Sequence, residues 1–330
     1  MNCKKSRILV YTEGGLKLGL GNIYRSLSLV TELQKKEKIE LSFITTSEPY
    51  VCELIWQKKI AVIPSSKENL VDNIIHYNPT VLIIDYLGVD EEFVKRLKEN
   101  IPVRIVIIGN LTKANQFADV VVNAIIGTDF KNNSFIDAFG THNLFGPRYL
   151  VLRDEFEKLR YSYQYKNSIQ NVVLLFGGTD QANYTYKVLR KLLISNNSWN
   201  ILLITGAGYG HHQELGKLIS TSPQRIKSFQ NIDNVSEIYS QADFLITSPG
   251  TALFEGLCMG IPAISFYQNE SQKEVFGKFF TTYTYDENME LVTYINQVYA
   301  NKEEFDRQLK TYAIGEGRNE IINTIINLLN

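Results

Sequence analysis

Four glycines lie between Gly14 and Gly21, and Asn22 and Arg25 follow at once. Residues 7–12 (RILVYT) before them are an apolar, β-branched run, and the residues after them carry a helical pattern. A glycine turn between strand and helix lets backbone approach a ligand, at a helix start whose free N–H groups favour negative charge. The turn is not a dinucleotide fingerprint. Gly19 and Gly21 are followed by Tyr24 where a third glycine belongs, and no acid closes the second strand. Nor is it a P-loop, since no Gly-Lys-Ser/Thr follows. It is either a close-approach turn for an anionic ligand or a tight turn with no ligand. Arg25, on the helix that follows, could reach a phosphate or pair with an acid of the other domain.

Other loops offer comparable groups. Gly177, Gly178 and Thr179 follow an apolar run, and their N–H groups and hydroxyl can wrap a phosphate; Thr179 or Asp180 could instead cap the next helix. Ser248, Pro249, Gly250 and Thr251 lead into a helical pattern stopped by Gly260, a second candidate anion site. Glu255, four residues after Thr251, shares its helix face. Its carboxylate could accept from a ribose diol, or only complement the helix dipole. Residues 267–272 (YQNESQ) cluster amides and a hydroxyl, the uncharged groups that read sugar hydroxyls; Asn269 and Gln272 are the candidates. Asp85, at the end of the run 81–85, points an acid into a cleft or bonds a neighbouring loop, with Tyr86 beside it. The glycine patch 206–210 reads as a flexible turn.

The elements that position these loops alternate. In the first half strands are expected at 8–12, 41–45, 81–85, 105–108 and 120–123, with helices near 22–36, 50–58, 67–77 and 89–99. After residue 168 the pattern restarts, with strands at 172–176, 201–205, 244–247 and 263–266 and helices near 183–194, 234–241, 251–259, 270–280, 288–300 and 303–329. Such alternation builds a parallel sheet covered by helices on both faces. The polar stretch 160–170 reads as a connector. Two doubly wound Rossmann-like domains are therefore expected, 1–155 and 168–330, facing across a cleft. The last helix is long enough to cross back to the first domain. Ligands bind at the carboxyl ends of the strands in such sheets, where all these loops lie.

The 330 residues are 44% hydrophobic and 21% charged, with a formal net charge of −1. Without a basic excess, nucleic acid is not the expected partner. No apolar run approaches the ~20 residues that span a bilayer, so no transmembrane segment is expected. Cys3, Cys52 and Cys258 are odd in number and scattered, which points to a reducing cytoplasm with neither a disulfide framework nor a metal site. No cofactor is called for, and a monomer is expected. The four histidines are His76, His142, His211 and His212. His76 ends a helical pattern, His142 reads as loop, and the last two follow a glycine patch.

In order along the chain, GLGNIYR, IIDYLG, VVNA, GPRYLVLRDEF, LLFGGTD and SPGTALFEGLCMGIPA resemble the motifs of the PseG/SpsG family, and the resemblance covers nearly the whole chain. The family comprises UDP-sugar hydrolases of pseudaminic acid biosynthesis and spore-coat-polysaccharide relatives. The resemblance implies a GT-B fold similar to MurG-type glycosyltransferases. It places UDP on the C-terminal domain, with Gly177, Gly178, Thr179, Ser248, Gly250, Thr251 and Glu255 around it and Ile232 and Asp233 near the base. It turns the sugar toward the N-terminal loop, with Gly19, Gly21, Arg25, Tyr86, Asn269 and Gln272 as sugar-side residues. It implies hydrolysis of a UDP-diacetamidosugar to UDP and free sugar, without a metal.

This chain departs from the pattern at the family's catalytic histidine, where it has Asn22, and at Asp-His-Tyr, where it reads Asp85-Tyr86-Leu87. Asparagine takes no proton from water at neutral pH. Three readings follow: hydrolysis with Glu13 or Asp85 as base and Asn22 orienting the reactants, transfer of the sugar to an acceptor, or nucleotide-sugar binding without turnover.

Overall fold

The computed structural model describes residues 6–15, 19–35, 39–125, 127–232 and 234–329. The chain divides into two compact units, residues 1–153 with 312–330, and residues 154–311.

The N-terminal unit holds strands β1 (Ser6–Thr12), β2 (Ile39–Thr45), β3 (Ala61–Pro64), β4 (Val81–Asp85), β5 (Arg104–Ile108), β6 (Val120–Asn123), β7 (Asn133–Ile136) and β8 (His142–Phe145). They pair in the order β3-β2-β1-β4-β5-β6-β8-β7, parallel except for the β7–β8 hairpin. Its helices are α1 (Gly21–Gln34), α2 (Pro49–Gln57), α3 (Leu70–Tyr77) and α4 (Glu91–Asn100). β1 is apolar from Ile8 to Val10 and β4 from Val81 to Ile84 because both faces are covered. Ile8 and Val10 meet α1 residues such as Ile23, Leu27 and Val30, while Leu9 packs with Leu82, Ile84 and Val94 on the other face. Each such aliphatic side chain contributes about 1.5–3 kcal/mol by leaving water.

The C-terminal unit opens with α5 (Asp154–Lys158) and then builds β9 (Asn171–Leu175), α6 (Tyr184–Ile194), β10 (Asn200–Thr205), α7 (His212–Ile219), β11 (Ile226–Gln230) and α8 (Val235–Tyr239). β12 (Phe244–Thr247), α9 (Thr251–Met259), β13 (Ala263–Phe266), α10 (Glu270–Phe276), β14 (Thr282–Tyr283) and α11 (Leu291–Ala300) complete the sheet, and α12 (Lys302–Tyr312) follows. The strand order is β11-β10-β9-β12-β13-β14. The stretch 160–170 lies on this unit without regular structure: Tyr163 donates its N–H to the Met259 carbonyl and its hydroxyl to the Asp243 carbonyl.

The sequence pattern misses β3, β7, β8, β11 and β14, all five residues or shorter, and with them the helices α5 and α7. β7 is exposed at every residue, so it has no buried face to impose an alternation. His142, expected in a loop, lies in β8 with its Nε2 3.0 Å from Ser134 Oγ. The single helix expected over 303–329 is instead α12 and α13 (Arg318–Asn327), because Ala313 and Gly315 take φ values of +46° and +74° between them. α13 belongs to the N-terminal unit, where Ile321, Ile322 and Ile325 join its core.

Candidate active site

In both units the strand order reverses beside the first strand, between β1 and β4 and between β9 and β12. Loops diverge there and leave room for a ligand.

At the end of β1 the chain folds back tightly. Gly15 and Gly19 exchange both backbone hydrogen bonds, at 3.0 and 2.7 Å. Gly19 takes φ +76°, and a Cβ on it would meet nothing within 4 Å, so this side of the turn stays open. Residues 16–18 lie outside the described residues. Gly21 opens α1, which no side chain caps.

Glu13 leaves β1 on the same face as Tyr11, as residues two apart in a strand must. It is buried, at 6% exposure. Tyr11 donates its hydroxyl to Glu13 Oε1 at 2.6 Å, and Thr46 donates to the same oxygen. Burial, and then the bond to Glu13, push the Tyr11 hydroxyl well above its ordinary pKa, so it remains a donor. Tyr11 and Thr46 were not singled out in the sequence. Two-residue spacing along β1 is the signal that would have found Tyr11.

Asp85 is fully buried at the end of β4, in register with Thr12. It is not an isolated acid. Arg25 donates through Nε to Asp85 Oδ2 at 3.0 Å and through Nη2 to Oδ1, and Ser26 donates to Oδ2 at 2.8 Å. Burial opposes the charge on Arg25, but Asp85 outweighs it and raises the guanidinium pKa. Arg25 therefore pairs with an acid of its own unit, a partner the sequence reading did not weigh. Its Nη2 also donates to Asn22 Oδ1 at 3.0 Å. A guanidinium only donates, so the Asn22 oxygen must face it and the amide NH2 must turn away. Asn22 offers a ligand hydrogen-bond donors. Tyr86 is half-buried, its ring 5.7 Å from that of Tyr11.

In the C-terminal unit β9 and β12 are paired neighbours, and their ends bring two turns side by side. Gly177, Gly178 and Thr179 are exposed. A Cβ on Gly206 would meet the Gly178 Cα at 2.5 Å, so the 206–210 patch is a packed support for this turn rather than a loose one. Asp180 accepts from the N–H groups of Tyr184 and Thr185, at 2.9 and 2.7 Å, and so holds the start of α6. Gly250 precedes α9 without a side-chain cap, which leaves first-turn N–H groups for another acceptor. Thr251 is exposed and Ser248 is buried. Glu255, expected on the same accessible face as Thr251, is only 2% exposed.

Gln268 binds these turns together, and the sequence reading did not rank it. Its Nε2 donates to the Phe176 carbonyl at 2.9 Å and to Ser248 Oγ at 2.7 Å, while its Oε1 accepts from Ala182 N–H at 3.2 Å. Asn269 caps α10 by accepting from Gln272 N–H at 2.9 Å, and Gln272 Oε1 accepts from Gln268 N–H at 2.8 Å. Both amides thus shape the loop, whatever else they touch. Ile232 is half-buried after β11, two strands from β9; Asp233 lies outside the described residues. Among the described residues no group of three or more His, Cys, Asp or Glu side chains could hold a metal. None of the described helices is long and apolar enough to cross a membrane.

No family model matches the chain. Over 98% of its length it is 36% identical to an uncharacterized protein of Methanocaldococcus jannaschii, of which it spans 67%. Over 80% of its length it is 26% identical to the spore coat polysaccharide biosynthesis protein SpsG of Bacillus subtilis, of which it spans 78%. Among solved structures it is similar to MurG of Acinetobacter baumannii, with a TM-score of 0.61 at 10% identity over 98% of this chain and 99% of that one. Anabaena HepE, solved with UDP and glucose, gives a TM-score of 0.58 at 12% identity over 98% and 99%. The architecture is GT-B, that of two Rossmann-like units. The chain belongs to the SpsG/PseG-like family of GT-B proteins. It is thereby related to enzymes of polysaccharide biosynthesis that handle nucleotide sugars.

Proposed function

We propose that this protein cleaves a UDP-sugar, most simply by hydrolysis to UDP and the free sugar. The observation that carries the reading is the Gln268 bridge, which fixes the 177–179 turn beside the 248–251 turn. Two N–H-bearing turns on adjacent strands offer donors to the two phosphates of a diphosphate. The complex of HepE with UDP and glucose supports this choice of nucleotide. Following the family resemblance, the sugar proposed is a diacetamido hexose.

In the proposed reaction water attacks the anomeric carbon and yields a proton to Glu13. The bond from that carbon to the β-phosphate oxygen breaks, and its electron pair leaves on UDP. N–H groups at the start of α9 stabilise that oxyanion, so it needs little protonation. Glu13 is the better base because Asp85 is held by a guanidinium. Asn22 donates a hydrogen bond and accepts no proton.

Transfer to an acceptor hydroxyl uses the same groups. The test is a thermal shift with UDP, ATP and NAD, followed by assay of UDP release from UDP-sugars without and with added acceptors. A larger shift with UDP is expected, since a ligand of the native state stabilises it. UDP release without an acceptor supports hydrolysis. A larger shift with NAD or ATP sinks the reading.

A further inference from the structure

The sheet of the N-terminal unit ends on β7, which pairs with β8 and has no strand on its outer side among the described residues. Residues 131–140 are exposed except for Asp137. Open N–H and C=O groups at a sheet edge invite pairing with another chain, so edges are ordinarily blunted by proline, by charge or by extreme shortness. The other edges show these devices: β3 ends on Pro64, β11 carries Lys227, and β14 has only 2 residues. β7 reads Asn-Ser-Phe-Ile, with neither charge nor proline, and Phe135 and Ile136 are 38% and 71% exposed.

The register shows which backbone groups are open. Asp137 donates its N–H to the Thr141 carbonyl at 3.0 Å, one step beyond the pair of Ile136 with His142. On the far side of β8, His142 and Gly146 donate to the carbonyls of Asp119 and Asn123. Odd-numbered residues of β8 therefore turn their backbone groups to β7. Antiparallel ladders alternate, so Asn133 and Phe135 answer them, and the N–H and C=O groups of Ser134 and Ile136 point outward.

This edge is complementary to itself. Laid antiparallel on a copy about a two-fold axis at Phe135, Ser134 exchanges both hydrogen bonds with Ile136 of the partner subunit, and the reverse, so every open group is met. Phe135 then faces Phe135 of the partner subunit as a non-hydrogen-bonded pair, the closer kind, with Cα atoms about 4.5 Å apart. Each Phe135 ring already stands edge-on to Phe145, with centroids 5.5 Å apart, so the pairing continues an aromatic row. The flanking charges fit as well. In this register Asp137 lies diagonal to Lys131 of the partner subunit, within reach of a long side chain. Its carboxylate is held in place, since Oδ1 accepts from the N–H groups of Phe139 and Thr141 and Oδ2 from Asn143.

We propose that β7 pairs with β7 of a second copy, joining two N-terminal sheets into one across a two-fold axis at Phe135. The protein is then a dimer in place of the expected monomer. An edge this short makes a small interface, and interfaces under roughly 1,200 Å² are weak, so a dissociation constant on the order of 10 µM is expected.

Sedimentation velocity of the full chain from roughly 1 to 300 µM brackets that constant, and the mass should rise toward twice that of the monomer. Ile136→Pro removes an outward N–H at an edge position where proline is tolerated. It should abolish the rise while far-UV circular dichroism is retained. Phe135→Asp sets two carboxylates face to face on the axis and should do the same. Cysteines read the register. Phe135→Cys lies within disulfide reach of its own copy and should cross-link under mild oxidation, beyond the wild-type background. Ile136→Cys, diagonal to its copy at roughly 7–8 Å, should not. A monomer across the whole range overturns the proposal, as does a dimer that survives either Ile136→Pro or Phe135→Asp, or cross-linking at residue 136 in preference to 135.

Discussion

The ends of β1 and β4 gather charge: Glu13, Arg25 and Asp85 lie there with Tyr11, Ser26 and Thr46 hydrogen-bonded among them. The ends of β9 and β12 gather exposed glycines, hydroxyls and the neutral amide of Gln268, with the Glu255 carboxylate buried nearby in sequence. The same topological position thus carries two chemistries. A carboxylate with fixed partners is suited to moving a proton or orienting a hydroxyl. Neutral turns with outward N–H groups are suited to holding an oxyanion, which a nearby exposed carboxylate would repel. Glu255 is only 2% exposed, so its carboxylate lies off the surface beside the 248–251 turn.

Glu13→Gln should have the largest effect and test this division of labour most sharply. UDP release should fall on the order of a hundredfold or more, the scale of general-base loss, while the UDP-induced thermal shift is retained. Loss of both would mean that the two regions do not divide the work. Asp85→Ala comes next. It strands the Arg25 guanidinium, which is 24% exposed, and should lower stability by about 3 kcal/mol, the lower end for breaking a buried pair. Urea unfolding measures this, and an unchanged midpoint would show that the pair is not structural.

Glu255→Ala should weaken UDP by about 2 kcal/mol if the carboxylate reaches the ribose diol once ligand is bound. Calorimetry with UDP and 2′,3′-dideoxy-UDP separates the outcomes, because an equal loss for both makes Glu255 a packing residue. The smallest effect is expected from Asn22→His. A histidine there would lie beside Arg25, which opposes a second positive charge and keeps the ring neutral. On the proposed role of Glu13 as base, UDP release should not rise. A rise would place the missing base at residue 22 and remove Glu13 from that role.

Much of this arrangement was legible in residue order. The apolar runs at β1, β4, β9 and β12 announce strands covered on both faces, and the glycine and hydroxyl groups just after them mark the loops. The short strands β7 and β11 were not legible. Their pairing comes from the sheet edge, and their side chains alternate too weakly to signal it. Thr46 was invisible as a partner of Glu13 because it stands 33 residues away and meets it only through the parallel pairing of β1 with β2.

Alternation of apolar strands with amphipathic helices determined two Rossmann-like units, because burying both faces of a parallel sheet leaves few other solutions. The sequence also determined that residue 22 cannot be a base, since an amide lacks the proton affinity. Tertiary structure alone decided which way that amide points. Strand register brought Asp85 to Arg25, the guanidinium took the Asn22 oxygen, and the NH2 was turned away from it. It likewise decided between the two carboxylates. Both end apolar strands, yet one meets a cation 60 residues away and the other meets only hydroxyls, that of Tyr11 beside it in the strand and that of Thr46, 33 residues away.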